Sequence, residues 1–238
     1  MNLTKIPGMI VDAIYPPICP VCNEIVRGKD IICPSCKRLL SYVEPPVCSR
    51  CGKPLDEDGM LCRDCAKGRH IYDEGRAALE YDEYMSRSIY RFKYNGKREF
   101  AGLYGRIMYD RLGDKIRQWN VEVIVPVPVH KSRLKKRGYN QAALIAKELS
   151  KSLKIPVNER IVVRTSATGA QKELRAAERQ NNLKKAFKVT ENVVKYDSVL
   201  IVDDIYTTGA TVDAMASCLK GAGIGKVYFA TLCIGRGS

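Results

Sequence analysis

The chain alternates two hydrophobic patterns, and their order predicts most of its elements. Four apolar residues in a row, Val199, Leu200, Ile201 and Val202, are followed at once by Asp203 and Asp204. A short apolar run bounded by polar residues reads as a strand buried on both faces. Thr207, Thr208, Gly209, Ala210 and Thr211 come next, then Val212, Met215, Ala216 and Leu219 at helical spacing. A helix is therefore predicted over 210–219, ended by Gly221 and Gly223. Residues 121–129 and 227–234 repeat the strand pattern, with shorter versions at 161–163 and 186–190. The segment A-A-L-E-Y-D from Ala77 reads as an edge strand.

Helical spacing marks 99–118 through Phe100, Leu103, Ile107, Met108, Leu112 and Ile116, and 142–153 through Leu144, Ile145, Leu149 and Leu153. Another helical stretch, around Ile89, Tyr90 and Phe92, carries Arg91, Lys93, Lys97 and Arg98, and Lys93, Tyr94 and Gly96 are candidates to face a site. From residue 121 onward, strands and helices alternate. That order predicts an α/β fold, a parallel sheet with helices on both faces.

The junction after Val202 carries candidate chemistry. Residues 207–211 form a loop at a helix N-terminus, where the dipole and unpaired N–H groups favour a phosphate. The two carboxylates can accept hydrogen bonds from sugar hydroxyls or hold a divalent cation. Together they suggest a ribose 5-phosphate site. A nucleotidase-type magnesium site is a competing reading; a P-loop is not, because no G-x-x-x-x-G-K-[ST] occurs.

Five of the seven residues from Lys131 to Arg137 are basic and follow the strand at 121–129 as an expected loop. A basic loop at the carboxyl end of a parallel strand sits where such sheets bind ligands. Pyrophosphate or a nucleic-acid backbone suits it; a solvated charge run is the plainer alternative. His130 reads as a general base or as a backbone contact. The polar stretch T-G-A-Q-K-E-L-R-A-A-E-R-Q-N-N, from Thr168, reads either as a lid or as an exposed helix. Cys218 and Cys233 fall in apolar elements and read as core thiols.

The other eight of the ten cysteines form four C-x-x-C pairs: Cys19/Cys22, Cys33/Cys36, Cys48/Cys51 and Cys62/Cys65. Ten residues separate the second pair from the first, and ten the fourth from the third. Two knuckles complete a closed tetrahedral S4 site, the pattern of a structural zinc. Sequential pairing is the default, and pairing the first knuckle with the third stays open. So small a segment needs metal to supply folding energy.

Charge is uneven: residues 1–70 carry +2 and residues 71–238 carry +12. The basic excess suits phosphate-bearing partners. No run of about 18 apolar residues predicts a membrane helix, and the first residues lack a signal-peptide pattern. A cytoplasmic location without membrane insertion is expected.

At 199–211 the chain resembles the phosphoribosyl pyrophosphate motif of type I phosphoribosyltransferases. More narrowly, it resembles the ComF family of competence-associated proteins. The resemblance rests on the double cysteine module and V-P-V-P-V-H followed by R-G-Y-N-Q. It rests also on T-x2-Q-x2-L-x4-R-x2-N (Thr168, Gln171, Leu174, Arg179, Asn182), on Ala186 and Phe187, and on V-D-D-I-Y-T-T-G-A-T. Tyr139 stands where Phe is common in that family.

The resemblance implies a double zinc ribbon over 1–70 and a phosphoribosyltransferase-like domain over 71–238. Phosphoribosyl pyrophosphate with magnesium would be the ligand. Asp203 and Asp204 would hold ribose and offset developing positive charge, with Lys131 and Arg133 clamping pyrophosphate. Thr207, Thr208, Gly209, Ala210 and Thr211 would wrap the 5-phosphate. His130, Arg137, Asn140, Gln141, Gln171, Arg175 and Arg179 would complete the substrate site. A role in DNA uptake is implied, with competence or DNA-processing proteins as partners. Single-stranded DNA binding on the same fold without turnover is the alternative.

Overall fold

The computed structural model describes residues 16–26, 31–56, 59–68, 70–165, 186–190 and 196–236. Four strands form one parallel sheet: β1 (Glu74–Glu80), β2 (Val123–Pro126), β5 (Ser198–Tyr206) and β6 (Lys226–Ile234), in the order β1-β6-β5-β2. β3 (Val162–Arg164) and β4 (Phe187–Val189) pair antiparallel as a separate ribbon. β2 is shorter than the apolar run predicts, although the Val127 N–H beyond it still donates to Val202 O at 2.9 Å. β5 is longer, continuing through both carboxylates to Tyr206.

Two short helices in the cysteine module, α1 (Pro34–Lys37) and α2 (Arg63–Lys67), precede the sheet. α3 (Glu83–Tyr94) begins at Asp82, which accepts the Met85 N–H at 2.8 Å and the Ser41 hydroxyl at 3.0 Å. α4 (Phe100–Gln118) follows the predicted stripe. The basic stretch after β2, expected as a loop, is a helix, α5 (Lys131–Arg137). His130 caps it, its Nδ1 accepting the Ser132 N–H, and Gly138 ends it in the left-handed region at φ 80°. α6 (Gln141–Leu153) is capped by Asn140, and α7 (Ala210–Gly221) leads into β6.

Successive strand side chains point to opposite faces, so β5 divides the core in two. Leu200 and Val202 pack with α3, α4 and α6, through Phe92, Met108 and Ile145. Val199 and Ile201 pack with α7, through Val212, Met215 and Leu219.

The cysteine module is joined to both faces. Cys19 and Cys36 lie in the first core, and Cys48, Cys51, Cys62 and Cys65 in the second. Between them, residues 41–43 pair with β1: the Val43 N–H donates to Ala78 O at 3.1 Å, and the Glu80 N–H to Ser41 O at 2.8 Å. β1 therefore is the outer strand of the parallel sheet, as expected, but its outer edge is covered. The Arg91 guanidinium adds donors to Pro20 O and Val21 O, at 2.9 and 2.5 Å.

Candidate functional site

β5 brings Asp203 and Asp204 to the carboxyl end of the sheet, and residues 207–209 carry the chain into α7. Being consecutive on a strand, the two carboxylates face opposite ways. Asp204, buried, meets the Lys93 ammonium at 2.6 Å on the α3 side. Asp203 shares its face with Ile201 and accepts the Asp204 N–H on Oδ1 at 2.9 Å.

The charges around the acidic pair act on one another. Burial, joined by the charge of Asp204, pushes Asp203 well above the ordinary carboxylate range, and Lys93 works against both. Burial disfavours the Lys93 ammonium, yet Asp204 and then Asp203 outweigh it and hold Lys93 above the usual lysine value. On the ribbon side, burial and the charge of Arg133 draw Arg164 below the usual guanidinium value, with Asp203 opposing. Lys93 thus meets the acidic pair from one face, and Arg164 feels the charge of Asp203.

The loop ends at Gly209, in the left-handed region at φ 80°, and no side chain caps α7 there. Its first-turn N–H groups thus lack the usual capping oxygen, the condition for an anion at a helix N-terminus. Thr207 and Thr208 are exposed, Ala210 and Thr211 half-buried.

The expected basic residues fall into two groups. Lys131 and Arg133 are exposed on α5. Arg137 donates to Gln141 Oε1 and stands 5.2 Å from the Tyr94 ring centre. Asn140 caps α6 by accepting the Ala142 N–H at 3.1 Å and donates to Val127 O at 3.0 Å, so both its polar atoms hold backbone. His130 Nδ1 lies 2.8 Å from Ser132 Oγ. Gln171, Arg175 and Arg179, and the polar stretch containing them, lie outside the described residues.

Sequence reasoning missed Arg164 and the pairing of Lys93. Arg164 is a lone basic residue at the end of a short strand, with no motif around it. Lys93 was a candidate to face the site, but its pairing with Asp204 could not be read, because 111 positions separate them.

The eight module cysteines form two sequential sets, Cys19/Cys22/Cys33/Cys36 and Cys48/Cys51/Cys62/Cys65, with the sulfurs of each set within 4.8 Å of one another. Tetrahedral zinc with Zn–S of about 2.3 Å places sulfurs about 3.8 Å apart. Cys22 and Cys33 stand at 3.7 Å and Cys51 and Cys62 at 3.6 Å, so both sets fit a structural zinc. In this set the Ser35 hydroxyl and Cys36 draw the Cys33 thiol down to about 6, while burial pushes the Cys22 and Cys36 thiols up. All four positions of each set are protein ligands, which leaves no place for a substrate.

A parallel sheet that delivers two carboxylates into an uncapped helix N-terminus is the frame of a phosphoribosyltransferase-type domain. Residues 134–238 match a phosphoribosyl transferase domain, and residues 10–66 a double zinc ribbon domain. Competence protein F of Haemophilus influenzae is 34% identical over 171 residues, covering 70% of this chain and 75% of that protein. The DNA utilization protein YhgH of Escherichia coli is 30% identical over 219 residues, covering 91% and 89%. Competence protein ComFC of Bacillus subtilis is 27% identical, covering 82% and 80%. The chain belongs to the ComF family, the family of these competence and DNA utilization proteins. Among the described residues, no helix is long and apolar enough to cross a membrane.

Two predictions follow from the charge and the shared cores. A carboxyl whose folded pKa is raised costs stability once ionised, so that cost is absent in acid and grows as pH rises from the ordinary carboxylate value through the raised one. Asp203→Asn removes it. Melting followed by circular dichroism at pH 7 should rise by about 2–4 °C, and the gain should vanish near about pH 4. Equal melting of the two proteins at pH 7 would contradict the buried charge. Separately, Cys51→Ser or metal removal by a chelator should shift one cooperative transition of the whole chain down by at least about 5 °C. An early transition of its own, with the main one unmoved, would show that the module and sheet do not share a core.

Proposed function

We propose that this protein binds phosphoribosyl pyrophosphate with magnesium and transfers the phosphoribosyl group to an acceptor, in the service of competence or DNA utilization. The observation that carries the reading is the continuous run from Asp203 and Asp204 through residues 207–209 to the uncapped start of α7. The 5-phosphate would rest on the loop N–H groups and the hydroxyls of Thr207, Thr208 and Thr211. The ribose hydroxyls would donate to Asp203. Lys93 holds Asp204 in place on the far side from Asp203. Leaving of pyrophosphate gives ribose C1 oxocarbenium-like charge, which the carboxylates offset. Lys131 and Arg133 would meet pyrophosphate, and magnesium would neutralise its oxygens. The role in competence is carried over from the relatives' names.

A second reading rests on a different observation. Tyr90 and Tyr94 are each 59% exposed on α3, their ring centres 4.9 Å apart, and Arg137 lies over Tyr94. Exposed aromatic rings beside the basic α5 form the kind of platform on which single-stranded nucleic acid stacks. Both readings fit one molecule, since the platform adjoins the acidic pair through Lys93.

Isothermal titration with phosphoribosyl pyrophosphate and magnesium should give saturable binding, weakened about 10- to 100-fold in Asp203→Asn through loss of a carboxylate acceptor. Absence of binding to the unaltered protein would end the first reading. Fluorescence anisotropy with a labelled oligothymidine at two salt concentrations should show affinity that falls with salt and drops at least about 10-fold in the Tyr90→Ala, Tyr94→Ala double variant. Binding indifferent to salt, or to the loss of both rings, would remove the second.

A further inference from the structure

His70 lies between the two regions that match known domains, and its side chain reaches the helix that follows the phosphate loop. Its Nδ1 is 2.7 Å from Asp213 Oδ2, and the next residue, Ile71, donates its N–H to Asp213 Oδ1 at 2.8 Å. Asp213 stands in the first turn of α7. A carboxylate accepts only, so Nδ1 carries the proton of this bond. The side chain is 9% exposed, and its Nε2 meets no partner among the described residues.

The same ring forms part of the floor under Gly209. A Cβ at Gly209 would fall 2.5 Å from the Tyr206 hydroxyl and 3.1 Å from His70 Cε1. Tyr72 completes this floor: its ring stacks on His70 with centres 4.8 Å apart, and its hydroxyl lies 2.7 Å from that of Tyr206. The floor is held from the second cysteine set. Arg50, between Cys48 and Cys51, donates to His70 O at 2.5 Å and to Tyr72 O at 3.1 Å.

We propose that His70 is a positioning residue of the phosphoribosyl site, holding Asp213 away from the start of α7 and seating Gly209 so that the loop N–H groups stay open to the 5-phosphate. The proposal rests on the reading of that loop as a phosphoribosyl site. Its physical basis is competition for donors. A carboxylate in a first turn can fold back onto the helix's own N–H groups, the very groups an anion needs. With both oxygens of Asp213 engaged by the His70 ring and the Ile71 N–H, that self-capping is blocked. A loop seated before the ligand arrives also binds without the cost of ordering it. The linker after the second cysteine set is therefore a working part of the site, not a spacer.

The test is titration with ribose 5-phosphate, which lacks pyrophosphate and so reads this end of the site alone. Unaltered protein is compared with His70→Ala, His70→Gln and His70→Asn. Asparagine places an amide N–H where Nδ1 stands; glutamine places it near the Nε2 position. Affinity should fall about 10-fold in the alanine and glutamine variants and return to within about threefold in the asparagine variant. Metal content and melting are measured on each. The chain has two histidines, so the His70 ring nitrogens in 15N-labelled protein are assigned by their loss in His70→Asn, and they should shift on saturation with ribose 5-phosphate. If the alanine variant does not fold, the contrast between asparagine and glutamine decides. Equal affinity of those two variants, or an unmoved ring signal at saturation, overturns the proposal. Failure of the unaltered protein to bind both ribose 5-phosphate and phosphoribosyl pyrophosphate would overturn the phosphoribosyl reading itself.

Discussion

Two carboxylates side by side on a buried strand are the constraint on which the rest of the structure turns. A carboxylate at the end of β5 carries a burial cost that a countercharge or hydrogen-bond donors must offset. The strand sends them to opposite faces, and each face answers separately. On one, α3 delivers Lys93 to Asp204 at 2.6 Å. On the other, Asp203 keeps a pKa raised by burial and by its neighbour. The difference between the two acids has a functional sense. Asp204 is held in place by the protein, whereas Asp203 has an unmet demand for positive charge or hydrogen-bond donors that a ligand can supply. A buried acidic pair of this kind costs stability that an inert pocket would keep.

The cysteine module extends that logic. A four-thiolate site adds folding energy in a segment with little core of its own. Here that energy reaches the sheet by three routes. The first set enters the core beneath α3 and α4, residues 41–43 close the edge of β1, and the second set enters the core beneath α7. Ser41, in the edge-pairing segment, also bonds Asp82, the cap of α3, which sets where Lys93 emerges. Arg50, inside a knuckle, holds the linker that reaches Gly209. The two cysteine sets therefore brace the two sides of one site.

Most of this fold was legible from periodicity. The four main strands, the helices around 99–118, 142–153 and 210–219, and the two cysteine sets all follow from local patterns whose cause lies within a few residues. The exceptions have specific causes. Residues 131–137 were expected as a loop because five basic residues hide any apolar stripe; the helix there is decided by its caps, His130 and Gly138. Residues 121–129 looked like one long strand, whereas β2 spans only Val123–Pro126. Asn140 reads as a ligand residue in its motif, and in the fold its side chain holds the start of α6 and the end of the β2 segment.

By itself the sequence determined the chemistry that depends on neighbours along the chain: paired thiols, adjacent carboxylates, and a small-residue loop leading into a helix. These are set by spacing, because each needs only the geometry of one turn or one strand. Tertiary structure alone decided what each group faces. Lys93 meets Asp204, and His70 meets Asp213, across separations of 111 and 143 positions. No local pattern encodes such pairs, since they form only when sheet order and the module's wrap bring distant segments together. The loop at 207–211 offers phosphate chemistry on its own, and the groups beneath and beside it determine whether that chemistry is held ready.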